Sequence, residues 1–357
     1  MASQQSPLHE VIVGKAGVSS MAERHGYQLP AVFSGLDSEY TAAVTAAAVH
    51  DASYWGRLKA TGEDALDLLN RMSTNKVIDL QPGEGTPTVL TTDRGRILDL
   101  LGVVNNGDHV LLLTSPGQQQ PVIEWLDRYT IMEDLVVEDI TATTAMLALI
   151  GPVARGYLEP DALPTTAMSA REQSFGDYRA LVINYPLGKL PCYYLVTPAE
   201  DALGTWVHFL ESGVTPVGME AFETVRVSLG IPEANSELGV LYNPLEAGLI
   251  GSVDFAKGCY IGQELTARTK YRGLGRRRLM PVKIEGPIPN PGTPIFAGKM
   301  EAGELRSAID GVGLAFLRLD RINKSKEDGV VLVADLFENP MGLRGFEFVE
   351  FTAPQKG

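Results

Sequence analysis

One cysteine set among charged and amide side chains marks where this chain could do thiol chemistry. It is Cys259, in the run Lys257-Gly258-Cys259-Tyr260-Ile261-Gly262-Gln263-Glu264. Lys257 lies just before the sulfur, and Arg268, Lys270 and Arg272 follow it. A cationic neighbourhood favours thiolate over thiol, and a thiolate is the reactive, metal-binding form. Gly258 and Gly262 permit backbone angles and close approaches that other residues resist. The competing reading is a small buried hydrophobe in a tight turn, the common fate of a free cysteine. Residue types alone leave both open.

A second feature adjoins the first. Residues 268–278 carry Arg268, Lys270, Arg272, Arg276, Arg277 and Arg278 with no acid among them. Gly273 and Gly275 make this segment flexible enough to present several guanidinium groups to one anion; the alternative is a solvated strand or loop. Other constellations are thin. The histidines at 9, 25, 50, 109 and 208 form no ligand spacing, and with Cys192 and Cys259 as the only cysteines no C-x-x-C exists. The chain alone therefore has no four-thiolate zinc or iron–sulfur site, and any metal at Cys259 would be transient. His50, Asp51 and Ser53 lie close together but lack the strained turn that exposes a nucleophilic serine.

The elements that must position these groups can be read from apolar spacing. Residues 40–50 have helix-forming composition, 57–62 read as a strand ended by a turn, and 63–72 have helical apolar spacing with acids in the first turn. Residues 86–92 and 97–104 are strands joined by Asp93-Arg94-Gly95-Arg96. Strands at 109–114, 135–140 and 145–150 and a helix at 118–129 complete the first half. The second half has strands at 178–183 and 192–196 and helices at 201–212 and 220–230. Beyond Arg278, short strands at 279–284, 293–297, 302–308 and 312–317 separated by Gly and Pro have the texture of a small β-barrel. Helices mixed with hairpin-linked strands make this an α+β protein of mostly antiparallel sheets.

Length and composition bound the class. A single core would be overextended at 357 residues, so several domains are expected. The expected division is an N-terminal extension at 1–39, a first α+β domain at 40–151, a second at 152–278 carrying the cysteine motif, and the barrel at 279–357. A net charge of −14 argues against a broad nucleic-acid surface. No apolar run is long enough to span a membrane, residues 1–17 read as neither signal nor transit peptide, and two cysteines fit a reducing compartment. The expectation is an acidic cytoplasmic protein with no membrane association.

The run KGCYIGQE, continuing through the Ala267-Arg268 pair to Arg272-Gly273, resembles the signature of the YgfZ family of folate-binding proteins, relatives of the glycine-cleavage T-protein, an aminomethyltransferase. T-proteins read K-x-D-F-I-G-K-E here, with an acid where this chain has Cys259. Asp51-Ala52-Ser53, Thr74-Asn75 and Pro82-Gly83 are similar to T-protein segments as well. The resemblance implies a ring of ferredoxin-like antiparallel-sheet domains followed by a C-terminal barrel, with tetrahydrofolate or a derivative as cofactor. It makes Cys259 the functional thiol, within a motif of Lys257, Gly258, Tyr260, Gly262, Gln263 and Glu264, and implies that Lys257 and the downstream arginines lower its pKa. It marks Asp99, Arg226, Glu246, Arg268 and Arg272 as candidate folate contacts. For each the residues alone leave a plainer role open: a surface or turn residue for Asp99, an ion pair with Glu220 or Glu223 for Arg226, a helix or turn cap for Glu246, and a solvated strand or loop for the basic pair.

T-proteins carry two consecutive acids where this chain has Asp99 and Leu100, and the second positions the folate's reactive nitrogen. Leucine can do neither proton transfer nor amine orientation, so T-protein chemistry is expected to be disabled. The resemblance thus implies a folate-binding factor that assists iron–sulfur cluster assembly or repair, with iron–sulfur client or assembly proteins as partners and an influence on tRNA modification through those clients. The alternative is a folate-dependent aminomethyltransferase or demethylase, for which Asp99 and Glu246 speak.

Overall fold

Strand-forming residues dominate the chain, and they pair as four sheets in a computed structural model that describes residues 4–10, 12, 18–160, 163, 165–271, 276–328, 332–334 and 346–348. The first sheet contains β1 (Gln4–Gln5), β2 (Ser20–Arg24) and β3 (Tyr27–Val32), ordered β1-β3-β2. Helix α1 (Leu36–Thr45) leads into β4 (Ala48–Asp51) and β5 (Gly56–Thr61). Next come α2 (Ala65–Met72), β6 (Gly85–Thr91), β7 (Ile97–Asn105), β8 (Val110–Thr114), α3 (Gln119–Asp127), β9 (Val136–Asp139) and β10 (Thr144–Ile150).

The chain continues through β11 (Ala170–Phe175), β12 (Tyr178–Asn184), β13 (Cys192–Pro198), α4 (Ala202–Glu211), β14 (Thr215–Pro216), α5 (Met219–Ser228) and α6 (Gln263–Tyr271). It closes with β15 (Arg277–Ile284), β16 (Pro294–Ala297), β17 (Met300–Ile309), β18 (Val312–Arg318), α7 (Leu319–Asp328), β19 (Leu332–Ala334) and β20 (Phe346–Phe348).

A five-stranded antiparallel sheet has the order β6-β7-β8-β5-β9. Its apolar face packs under α2 and α3 through Leu58, Leu68, Leu69, Leu101, Leu112 and Leu126. A six-stranded sheet has the order β11-β12-β13-β10-β4-β14, so β4 and β10 pair with strands that lie beyond residue 151. It is fully buried along β10, as its unbroken apolar run Ala145 to Ile150 requires. The last six strands form a closed barrel, ordered β15-β18-β17-β16-β19-β20. This is an α+β fold of largely antiparallel sheets ending in a barrel, the class its strand texture predicts.

Three local readings change. The helix expected over residues 40–50 ends at Thr45, because residues 48–51 are needed as β4 against β10 and are all buried. The described part of residues 1–39, which reads as polar, supplies the first sheet and the start of α1. The basic stretch expected as strand or loop divides instead: Arg268 and Lys270 lie on α6 and Arg277 and Arg278 on β15. Helix α6 has an acid in its first turn and cations in its last, which suits the helix dipole. Of its side chains only Thr266 is buried, so no apolar periodicity announces it. Among the described residues no helix is long and apolar enough to cross a membrane.

Candidate functional site

The segment 252–262 is bound to the five-stranded unit at successive points. Thr74 Oγ1 donates to the Ser252 carbonyl at 2.6 Å, and Asp254 N–H to the Thr74 carbonyl at 3.0 Å. The ammonium of Lys257 then donates to three carbonyls at and just past the end of α2: Asn70 at 2.7 Å, Ser73 at 2.9 Å and Asn75 at 2.5 Å. These are carbonyls that the end of a helix leaves without intrahelical partners. Burial pulls the Lys257 pKa down to about 8, while three carbonyl oxygens favour the charged form. The Tyr260 ring, itself buried, lies 5.3 Å from the same ammonium.

The far end of the loop is held as firmly. Ile261 N–H donates to the Arg71 carbonyl at 3.0 Å, and Thr91 Oγ1 donates to the Ile261 carbonyl at 2.7 Å. Gly262 has φ +84, and a Cβ there would meet the Thr92 carbonyl oxygen at 2.6 Å and Gly95 Cα at 2.7 Å. Only glycine fits such a conformation against such a neighbour. Between the two anchors, Gly258 and Cys259 are exposed. The thiol therefore stands at the apex of a short loop pinned at both ends. Gln263 Nε2 closes the loop by donating to the Gly258 carbonyl at 3.4 Å, and the exposed Glu264 pairs with Arg268 along α6.

Two expectations about this thiol are corrected. The small buried hydrophobe reading does not hold for Cys259, which is exposed; it describes Cys192, which is buried and whose pKa is pushed up by that burial. The cations expected to serve the sulfur are engaged elsewhere: Lys257 donates to three backbone carbonyls and Arg268 pairs with Glu264. Arg272 lies outside the described residues.

A cleft of about 320 Å3 opens where the chain meets the barrel, lined by Tyr242, Arg276, Arg277, Glu301, Glu304, Phe316 and Arg318 together with Gly303. Tyr242 and Phe316 stack at 3.5 Å between centroids and 9° between planes. The guanidinium groups of Arg277 and Arg306 lie 5.9 and 5.8 Å from the Tyr242 ring. Arg318 is held by Asp320 at 3.1 Å, and Glu304 by Arg306 at 2.7 Å. Among the described residues the ion-pair partner of Arg277 is Glu246, at a loose 3.7 Å. Both rings of the stack are buried, whereas Arg276 and Arg277 are exposed, and such guanidinium groups suit a ligand that carries carboxylates. The sequence points to Arg276 and Arg277, but Tyr242, Phe316, Arg318, Glu301 and Glu304 come from distant segments, and no local spacing foretells them. Tyr242, immediately before Asn243-Pro244, is the one that a reader could have singled out.

Of the remaining candidates, Asp99 and Arg226 are not among the residues that line this cleft, and Glu246 borders it through Arg277. Asp99 is fully buried, not the surface or turn residue that its place at a strand start indicates. Its carboxylate accepts from the N–H of Ser115 at 3.0 Å and of Leu100 at 2.8 Å. Burial nevertheless pushes its pKa up to about 7. Leu100 packs against the apolar cluster of Val89, Ile97, Tyr242 and Phe316 that joins the first unit to the barrel.

Arg226 is buried, and its five N–H groups are all taken. They go to Glu223 at 2.9 and 2.8 Å, to Glu237 at 3.0 and 3.1 Å, and to the Ile231 carbonyl at 2.6 Å. No donor is left for a ligand, which corrects its assignment as a folate contact and reduces it to the ion pair with Glu223 that its spacing also allows. Glu246 accepts from Asn243 N–H at 3.3 Å, as a turn cap does, and its two oxygens face Arg277 at 3.7 Å and Arg96 at 3.8 Å. Among the described residues no group of three or more His, Cys, Asp or Glu converges as a metal site.

Comparison with known proteins adds the following. The model of the GCVT N-terminal domain matches residues 8–257, and that of the CAF17 C-terminal beta-barrel domain matches residues 276–336. A chloroplast protein of Arabidopsis thaliana, named as a transferase, is 31% identical over 270 residues, which cover 74% of this chain and 62% of that one. The chain thus spans less than two thirds of that relative's length. The aminomethyltransferase of Geobacillus thermodenitrificans is 31% identical over 314 residues, covering 83% of this chain and 85% of the relative. The crystal structure of the glycine cleavage system aminomethyltransferase T from Bartonella henselae superposes with a TM-score of 0.80 over 93% of this chain and 94% of that one. At 20% identity this is a likeness of fold.

Proposed function

The chain belongs to the GcvT-like superfamily, the proteins that carry the GCVT N-terminal domain, and from that premise we propose that it is a YgfZ-type tetrahydrofolate-binding protein that assists iron–sulfur cluster assembly or repair in the cytoplasm, with Cys259 as the functional thiol. The observation that carries this reading is the exposed thiol at the apex of a loop anchored by Lys257 and Gly262. A structural cysteine would be buried, as Cys192 is. An exposed one on a fixed scaffold is placed to meet a partner or to ligate a cluster delivered as substrate, with the other ligands supplied by that partner. Effects on tRNA modification would follow from the clients served. The match to the CAF17 barrel domain supports the YgfZ branch in particular.

The residues of the cleft fit a folate. Arg276 and Arg277 offer charge to its carboxylates, and Glu301 and Glu304 offer acceptors to an amino edge. Folate supplies one-carbon chemistry when it reacts; in this reading its binding, rather than its turnover, matters. Leu100 supports that, because it occupies the place of an acid with an apolar side chain packed among Val89, Ile97 and Phe316.

A second reading, aminomethyl or methyl transfer to folate, is favoured by one observation: Asp99 keeps a buried carboxyl with a pKa near 7 beside that position. Calorimetry of the purified protein with tetrahydrofolate, run beside an assay of methylene transfer and release, separates the two. Binding without turnover is expected. Turnover would establish the second reading, and absence of binding would remove folate from the account.

A further inference from the structure

The turn that joins β6 to β7 lies against the thiol loop on one side and against the segment that carries Tyr242 of the cleft on the other. On one side of it, Gly262 lies against Thr92 and Gly95. On the other, Ile97 N–H donates to the Tyr242 carbonyl at 3.0 Å, and Arg96 Nη1 donates to the Leu241 carbonyl at 3.0 Å. The turn itself is closed by Thr92 N–H on the Arg96 carbonyl and Gly95 N–H on the Thr92 carbonyl, each at 2.9 Å. Glu246 sits between this turn and the cleft with a carboxylate divided between two arginines. Arg277 of the cleft wall is 3.7 Å from one oxygen and Arg96 of the turn is 3.8 Å from the other. Both separations exceed a hydrogen bond, so neither pairing is locked.

We propose that cleft and thiol are coupled through Glu246: an anionic ligand that draws Arg277 to itself releases the carboxylate to Arg96, which tightens the turn on the loop and shields Cys259. This rests on the reading of the cleft as a folate site. Arg96 acts as a positioning residue; it touches neither ligand nor sulfur. The ligand acts only through its differential affinity for the two pairings of Glu246.

The test is the rate of Cys259 alkylation by iodoacetamide, read on its peptide by mass, with and without saturating 5-formyltetrahydrofolate. The folate should slow alkylation of the parent protein by about five-fold, the low end of common coupling factors. Arg96→Gln keeps a donor for the Leu241 carbonyl and loses the charge. It should bind the folate with the parent's Kd in calorimetry yet show no ligand-dependent rate, and Arg96→Lys should restore part of the protection. Folate binding without any change in the parent's rate would overturn the coupling, as would full protection in Arg96→Gln. Absence of folate binding to the parent would overturn the folate reading and the coupling together.

Discussion

Asp99 and Lys257 are both buried, and burial disfavours the charged form of each. For Lys257, three carbonyls offset that penalty with charge-assisted hydrogen bonds. Asp99 has two N–H donors, and its pKa still rises to about 7. The folded protein therefore holds a proton that the unfolded chain releases between about pH 4 and pH 7. The stability this contributes is complete below about pH 4 and falls away as pH rises to 7. A rise from 3.8 to about 7 corresponds to a loss of about 4 kcal/mol across that window. Asp99→Asn should lack this decline, so urea unfolding of parent and variant at several pH values should give diverging slopes between pH 4 and 7 and parallel ones above. At this scale the cysteine motif was legible, but the destination of its lysine was not. Lys257 stands beside the thiol in sequence, and its partners lie 182 to 187 residues earlier. Adjacency in sequence implied an electrostatic neighbourhood, and the fold uses the same charge as an anchor.

The elements that hold the thiol are a loop, a turn and the end of a helix. Gly262 and Gly258, four residues apart, make a controlled pair for testing them. A Cβ at Gly262 would strike the backbone of Thr92 and Gly95, whereas at Gly258 it would meet nothing within 4 Å. Gly262→Ala should destabilise by about 2–3 kcal/mol, because φ +84 and the blocked space act together. Gly258→Ala should stay within about 0.5 kcal/mol of the parent. Thermal melts of the two variants check this. Strands β5 to β8 and barrel strands β15 to β18 are apolar runs bounded by turn residues, so their places could be read directly from the sequence, whereas the short β19 and β20 could not. Helix α6 could not, because a helix lying on the surface with one buried threonine leaves no apolar stripe. The early start of β4 was equally hidden, since Ala48 and Val49 suit a helix locally and are drawn into a strand by β10.

Across the whole molecule, two joints bring the sheets together. One is apolar, where Leu100, Tyr242, Leu279 and Phe316 pack the first unit on the barrel. The other is ionic. Arg226 on α5 binds Glu223 and Glu237, and Arg24 of β2 reaches Glu223 at 2.8 Å and also Glu233. His25 lies 3.1 Å from Glu233. Against burial, which raises it, Arg226 and its cationic neighbours hold the Glu233 carboxyl well below the usual range. Removing Arg226 would leave the buried Glu237 without its cation and Glu223 and Glu233 sharing the largely buried Arg24. Arg226→Leu should therefore destabilise by about 3–5 kcal/mol, read as a lower urea midpoint, and should not selectively change folate affinity. Only the Arg226–Glu223 pair of this joint is legible in the sequence, because the other members lie on a hairpin and a loop separated by up to 209 residues.

The account as a whole stands on Cys259. Its most direct measurement is complementation of a strain lacking this protein, under oxidative stress, by the parent and by Cys259→Ser, with recovery of iron–sulfur enzyme activity as the readout. The serine variant should melt at the parent's temperature, bind tetrahydrofolate with the parent's Kd and restore no activity. Recovery equal to the parent's would show that the exposed thiol is not the working group and would contradict the account.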